Sequence, residues 1–261
     1  MISHNNSIPE KITLKKKILI NYHYKIKSIL SKIYKSCKRK ERSEKEFYSK
    51  YSVPDSKFNY YVQNEVLKSI SIKQLLIKSN LHDYISKYIS KNYLIFSMIF
   101  FRYHHSILNI NTKKIYLDNL HYDNYHNLKT STFWIPLCDI NQSTGGLVFY
   151  SDNKNNTKKS KNFLEIKKLK NSSLFQVLTN IGSCFKFDKN LLHGANKPKK
   201  NYTRLSLDIR VIDKKDFKKK KLFRENYFNS RGILRPNKFV KLNDIDKEIK
   251  EYTENNFKNL I

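Results

Sequence analysis

The segment 204–211, RLSLDIRV, alternates apolar and polar residues without exception. Successive side chains of a β-strand point to opposite faces of the sheet, so one face of this strand is apolar and the other polar. The apolar members are Leu205, Leu207, Ile209 and Val211, and the polar members are Arg204, Ser206, Asp208 and Arg210. Two guanidinium groups on one face do not fit a dry core. They fit an outward-facing strand or a strand whose polar face lines a pocket.

Short strand-like runs precede this segment along the chain. From Tyr93 onward, β-branched and aromatic residues form short apolar or alternating runs, which is the pattern of β-strands. We predict strands at 93–101, 105–110, 114–123, 131–138, 145–150, 173–179, 183–187, 190–195 and 203–211. Such a series of short strands indicates a β-sandwich or a barrel-like pair of sheets. The polar and basic stretch 151–171 is interpreted as an exposed loop inserted between two strands.

Helical patterns flank these strands. In residues 11–50 lysines alternate with apolar residues at helical spacing. The predicted apolar face contains Ile18, Tyr22, Ile26, Ile29 and Ile33. A basic amphipathic helix of this kind either packs on its own domain, which we favour, or lies on an anionic membrane or on RNA. We predict an N-terminal basic helical segment (1–92), a strand-rich core (93–212) and a C-terminal helical extension (213–261).

Charge and cysteine content limit the class of protein. The formal net charge of +30 fits a solvated lysine surface, which we favour, or a protein that binds nucleic acid or another polyanion. The three cysteines form no CxxC pair, so neither a disulfide framework nor a structural zinc site is supported, and a reducing cytoplasm is expected. The longest apolar stretch, Tyr93–Phe101, is far shorter than the roughly 20 residues of a transmembrane helix.

His121 and Asp123 are the first candidates for chemistry. They are two residues apart in a predicted strand, so their side chains point to the same face. An imidazole and a carboxylate are two of the three ligands of the facial triad that holds non-haem iron(II). An HxD pair is also common by chance, and a surface pair is the alternative interpretation.

His193 and Arg204 are the second pair of candidates. His193 follows an apolar pair of leucines and is a candidate second histidine ligand, with a structural histidine at a strand end as the alternative. A guanidinium grips a carboxylate in a bidentate manner, and the hydroxyl of Ser206 on the same face can add a third hydrogen bond.

These segments together resemble the phytanoyl-CoA dioxygenase-like iron(II)/2-oxoglutarate oxygenases, over about residues 93–212. The matching segments are LHYD at 120–123, FWIPLCDINQSTGGLVFY at 133–150, GSCFKFDKNLLHG at 182–194 and YTRLSLDIRV at 202–211. Within the family the chain is most similar to members from carbohydrate and aminoglycoside biosynthesis clusters. It departs from the family where a PGSH-like turn is replaced by FYSDNK and where Ser183 stands for an aspartate, which leaves the substrate open.

The resemblance implies a double-stranded β-helix (jelly-roll) core with flanking helices, and an iron(II)- and 2-oxoglutarate-dependent dioxygenase that uses O2. It implies that His121, Asp123 and His193 bind the iron and that Arg204, with Ser206, binds 2-oxoglutarate. Asp123 favours hydroxylation over halogenation, because a halogenase needs a small residue there for chloride to reach the metal. The expected substrate is a small metabolite. A basic nucleic-acid or polyanion-binding protein on the same fold, or an oxygenase acting on a macromolecule, are the alternatives.

Overall fold

The computed structural model describes residues 8–37, 43–51, 57–106, 118–121, 128–150, 174–218, 226–228, 234–236 and 238–257. The helices in this part of the chain are α1 (Lys16–Ser36), α2 (Glu44–Tyr51), α3 (Lys57–Ser69), α4 (Ile72–Lys78), α5 (Leu81–Tyr88), α6 (Lys214–Lys218) and α7 (Ile245–Phe257). The strands are β1 (Glu10–Thr13), β2 (Tyr93–Phe96), β3 (Phe100–His105), β4 (Asp118–His121), β5 (Ser131–Pro136), β6 (Leu147–Tyr150), β7 (Leu174–Gln176), β8 (Ser183–Asp188), β9 (His193–Ala195), β10 (Thr203–Asp213), β11 (Asn226–Phe228), β12 (Leu234–Pro236) and β13 (Phe239–Val240).

Two antiparallel sheets form the core. The larger sheet has the order β1-β8-β5-β10-β2-β13, with β3 also paired to β10, and the smaller sheet has the order β4-β9-β6-β7. Apolar side chains from both sheets meet in one cluster that contains Trp134 and Phe185 from the larger sheet and Phe149 from the smaller one. The sheets therefore face each other, as in a sandwich or jelly roll.

The helices cover the outer face of the larger sheet. The apolar side of β10 packs in the same cluster as buried residues of α1, α4, α5 and α7. Leu19, Ile26, Leu30 and Ile33 of α1 are buried there, and Ile18, Tyr22 and Ile29 are partly buried against them. The apolar stripe of this basic helix thus packs on its own domain. None of the helices in the described ranges is both long enough and apolar enough to cross a membrane.

The predicted strand at 93–101 is two strands rather than one. β2 and β3 both pair with β10, but their registers differ: Ile95 lies opposite Val211, whereas Phe100 lies opposite Asp208. Between them the backbone N–H and hydroxyl of Ser97 both donate to the carbonyl of Lys238, at 2.8 and 3.1 Å. These two hydrogen bonds hold Ser97 against Lys238, the residue directly before β13, and the β-ladder along β10 is interrupted at Ser97.

The flanking segments are not purely helical, which corrects our expectation for 11–50 and for the C-terminal extension 213–261. β1 lies in the first of these segments and pairs with β8 at the edge of the larger sheet. β13 lies in the second and pairs with β2 at the opposite edge. Short edge strands take their conformation from the ladder that they join, and their own sequence carries little signal for it. The three-part division of the chain stays a prediction.

Asp246 joins the start of α7 to the start of α4. Its carboxylate accepts hydrogen bonds from the hydroxyl of Ser71 at 2.5 Å and from the backbone N–H groups of Ile72 and Lys73 at 2.8 and 3.2 Å. The first N–H groups of a helix have no partner within the helix, and a carboxylate there also interacts favourably with the helix dipole.

We expect Asp246→Ala to lower the free energy of unfolding by about 2 kcal/mol, because several donors lose a charged acceptor. Urea denaturation followed by circular dichroism measures this loss. Glu251→Ala, which removes an exposed carboxylate of the same helix that does not accept these bonds, is the matched control. Equal stability of the two variants would contradict the docking role of Asp246.

Candidate active site between the two sheets

The polar face of β10 is buried between the sheets. Arg204, Ser206, Asp208 and Arg210 are all buried, at 0 to 7% exposure. The alternating apolar residues of the same strand pack against the helices. Of the two interpretations that the alternation allowed, the outward-facing strand is therefore wrong, and the polar face looks into the space between the sheets.

Arg204 has an incompletely satisfied guanidinium. One terminal nitrogen, Nη1, donates to the backbone carbonyl of Asn196 at 2.6 Å. Its Nε is buried and has no hydrogen-bond partner among the described residues. Burial, and secondarily the charge of Arg102, lowers the pKa of Arg204 to about 10, so the side chain still carries its positive charge at neutral pH.

Ser206 presents a second unmet polar group on the same face. Its hydroxyl is fully buried and finds no partner within the described ranges. Residues two apart in a strand are about 7 Å apart on one face, which places this hydroxyl beside the Arg204 guanidinium. A buried polar atom without a partner costs about 1–3 kcal/mol, and an acceptor that served both groups would recover that free energy.

His104 lies directly across from Arg204, in register between β3 and β10. Burial, and then the charges of Arg204, Arg102 and Lys197, hold the pKa of this histidine well below its ordinary value. The imidazole is therefore neutral at pH 7. Neighbouring side chains of a strand point to opposite faces, and His105 Nδ1 accordingly contacts Thr203 Oγ1 at 2.7 Å on the other face.

An ion pair and an aromatic ring follow along the same face. Arg102 Nε donates to the carboxylate of Asp208 at 2.6 Å. The guanidinium groups of Arg102 and Arg210 lie over the ring of Phe100, 5.0 and 5.2 Å from its centroid. This part of the pocket is therefore already organised by contacts within the chain.

His193 lies at the start of β9 and is buried. Its Nδ1 is 2.9 Å from the carbonyl oxygen of Leu191, and since a carbonyl can only accept, Nδ1 carries the hydrogen. In the neutral imidazole Nε2 then holds the lone pair, the form in which a histidine binds a metal. The rings of Phe187 and Phe149 pack near it, at centroid distances of 4.6 and 6.0 Å.

The backbone brings His121 to the same place. His121 ends β4 and is the direct cross-strand partner of His193 in β9, after a register shift between Asp118 and His121. Partners across an antiparallel pair have Cα atoms about 4.5–5.5 Å apart. Asp123 and the side chain of His121 lie outside the described residues, and within those residues no group of three metal-ligating side chains is found.

Gly145 permits the close approach that holds Arg204. Its φ is +67°, and a Cβ atom there would be 2.5 Å from the carbonyl oxygen of Asn196, the oxygen that accepts from Arg204. The N–H of Asn196 in turn donates to the carbonyl of Gly146 at 2.9 Å. The two glycines thus dock the turn before β6 against the segment that orients the guanidinium.

The comparisons with known proteins concern the fold. No protein-family model matches the chain, and no curated protein matches it. Among solved structures it is similar to the apo form of ThoJ, described as a non-heme monooxygenase, at 10% identity over 97% of each chain with a TM-score of 0.53. The nickel complex of ThoJ gives 8% identity over 98% of each chain and a TM-score of 0.50. AviO1 from Streptomyces viridochromogenes Tue57 gives 14% identity over 74% of this chain and 85% of that one, with a TM-score of 0.48.

The chain shares the fold of non-heme monooxygenases. The likeness extends over nearly the whole length of both chains, including the helices that flank the sheets. It confirms the mainly β, jelly-roll core with flanking helices that the sequence predicted.

His104 was missed as a pocket residue by sequence reasoning. Its position follows from the pairing of β3 with β10 across about a hundred residues of chain. The one available signal was its place in an alternating run, FRYHH, where His104 shares a face with Arg102 and Phe100.

We expect Gly145→Ala to lower the free energy of unfolding by about 2 kcal/mol, because both the positive φ and the contact with Asn196 oppose a side chain. Gly145→Asn separates the two causes, since asparagine tolerates a positive φ but still carries a Cβ. Thermal denaturation measures both variants. If Asn restores wild-type stability, the close approach is not the constraint.

We also expect the protein to lose stability as the pH falls from 7 to 5. His104 resists protonation in the folded state, whereas in the unfolded chain it binds a proton below a pKa of about 6.5. The unfolded state then binds more protons, so the free energy of unfolding falls by up to about 1.4 kcal/mol per pH unit for this residue. His104→Gln should flatten the slope in urea denaturation across this range, and an unchanged slope would contradict a neutral imidazole in the folded state.

Proposed function

We propose that the protein is an iron(II)- and 2-oxoglutarate-dependent dioxygenase that hydroxylates a small metabolite. His121, Asp123 and His193 bind the metal, and Arg204 with Ser206 binds the distal carboxylate of 2-oxoglutarate. The observation that carries the proposal is the buried pair formed by the Arg204 guanidinium and the Ser206 hydroxyl, both with unmet hydrogen-bonding capacity.

The chemistry of this pair fits a carboxylate. Burying a charged donor without a full set of hydrogen-bond acceptors costs free energy. A carboxylate can accept from such a donor, because its two oxygen atoms carry several lone pairs. Arg204 already donates one N–H to the Asn196 carbonyl, which fixes the guanidinium while other donors remain for a ligand. The neutral imidazole of His104 stands opposite and adds no competing positive charge.

The donor set proposed for the metal fits a facial triad. Two imidazoles and one carboxylate hold iron(II) on one side and leave positions for other ligands. The cross-strand pairing of His121 with His193 brings two of the three residues together, and the Leu191 carbonyl selects the tautomer of His193 that can bind a metal. When bound, iron(II) would supply the activation of O2 that is coupled to decarboxylation of 2-oxoglutarate to succinate.

The remaining pocket residues would position the substrate and exclude water. Phe149, Phe187 and Trp134 belong to the apolar cluster between the sheets and shield the metal-binding end. Arg102 and Asp208 form a polar wall farther along β10. A small polar metabolite fits such a mixture, and the RLSLDIR strand, which resembles that of carbohydrate-cluster oxygenases, makes a sugar-bearing substrate the narrower candidate.

The test is succinate release by the purified protein with iron(II), 2-oxoglutarate and ascorbate. We expect the wild type to produce succinate, Asp123→Ala to lose at least 100-fold in rate, and Asp188→Ala, which removes an exposed carboxylate at the end of β8, to behave as wild type. Ser206→Ala should raise the KM for 2-oxoglutarate about tenfold, the equivalent of one hydrogen bond to a charged group. Arg204→Met should raise it further.

Direct binding measurements decide the case in which no turnover is seen. Calorimetry with iron(II) and then with 2-oxoglutarate reports each site without the prime substrate. If the wild type binds neither, the proposal fails. If Asp123→Ala and wild type release succinate equally, the assignment of the triad fails.

A further inference from the structure

A cavity of about 510 Å³ lies on the opposite side of β10 from the candidate active site. It is bounded by α1, the start of α2 and the outer faces of β3 and β10. Residues that line it include Lys27, Leu30, Glu44, Lys45, Tyr103 and Leu205. Its volume is within the range of about 300–1,000 Å³ that is typical of small-molecule pockets.

The cavity has an apolar floor and a charged rim. Leu30, Tyr103 and Leu205 are at most 8% exposed and form the floor. Lys27 and Lys45 are exposed and form the rim. An apolar floor with a few polar groups converging on it from several elements is the usual composition of a ligand pocket.

Positive charge exceeds negative charge in the lining. Two ammonium groups face one carboxylate, that of Glu44, whose pKa is raised by burial. The histidines do not add to the positive charge. Burial lowers the pKa of His23, whose Nδ1 donates to the Leu137 carbonyl at 2.6 Å, and burial and then Lys45 lower the pKa of His105. Both imidazoles are neutral at pH 7.

An unmet polar atom lies beside the cavity. His105 Nε2 is buried and has no hydrogen-bond partner among the described residues. Its Nδ1 is held by the hydroxyl of Thr203, a residue that lines the cavity. His105 itself is not a lining residue, but its contact with Thr203 holds that side chain in the wall of the cavity.

We propose that this cavity is a second binding site, for a small organic monocarboxylate with an apolar or aromatic body. The carboxylate lies at Lys27 and Lys45, and the body packs on Leu30, Tyr103 and Leu205. The lining carries one more positive charge than negative charge, and this favours a monocarboxylate ligand over a phosphate dianion. The site uses none of the residues assigned to iron or 2-oxoglutarate.

The probe for the test is 4-fluorobenzoate, followed by fluorine NMR line width on the full-length protein. We expect saturable binding to the wild type and at least tenfold weaker binding to Lys27→Met/Lys45→Met, which removes both charges and keeps the aliphatic stems. The matched control is Lys25→Met/Lys32→Met, which removes two exposed lysines elsewhere on α1 and should bind as wild type. Leu30→Trp, which fills the cavity, should abolish binding.

Three results would overturn the proposal. The first is the absence of saturable binding to the wild type, and the second is equal binding to the two lysine double variants. The third is loss of binding in Arg204→Gln together with wild-type binding in Leu30→Trp, which would place the probe between the sheets. Circular dichroism melting of each variant ensures that a lost signal is not lost folding. Succinate release should be the same in both lysine variants as in the wild type, so failure here leaves the proposed function standing.

Discussion

The structure depends on the burial of β10, in which every residue from Arg204 to Ile212 is buried. This strand pairs with β5 on one side and with β2 and β3 on the other, so nearly all of its backbone is in a ladder. Its two faces then meet two different environments. The leucine, isoleucine and valine side chains form a core with the helices, and the polar side chains are forced into the space between the sheets.

Burying these polar side chains costs free energy unless each of them finds a hydrogen-bonding or ionic partner. Asp208 is compensated by Arg102, and Arg204 is compensated in part by the Asn196 carbonyl. The Arg204 Nε and the Ser206 hydroxyl are not compensated within the described part of the chain. When a native fold leaves buried polar groups without hydrogen-bond partners, they usually lie at a functional site, where a ligand supplies the missing partner. The proposed carboxylate of 2-oxoglutarate is such a partner.

The two faces of this strand present different chemistry. On the inner face Arg204 presents a fork of donors that suits a planar carboxylate held tightly in a dry site. On the outer face the residues between the polar ones, such as Leu205, form an apolar floor below exposed lysines. A single alternating sequence therefore supplies both the buried Arg204 guanidinium and the floor of an amphipathic groove, because neighbouring residues of a strand point in opposite directions.

The strands of the core were predictable because their signal is local. The predicted runs at 131–138 and 145–150 each contain an observed strand, and those at 183–187 and 203–211 match β8 and β10 except that both strands extend one or two residues further. The apolar stripe of α1 is buried as its spacing indicated. β1, β13 and the break between β2 and β3 were not predictable. Each depends on a distant partner, as Ser97 depends on the Lys238 carbonyl.

The sequence by itself determined the two faces of β10 and the identity of the polar groups on one of them, since strict alternation is a property of neighbouring residues. Only the tertiary structure decided that the polar face turns inward, that His121 stands opposite His193, and that His104 stands opposite Arg204. Those facts depend on strand pairings between segments that are far apart in the chain. Such registers are selected by the packing of both sheets together rather than by any local pattern.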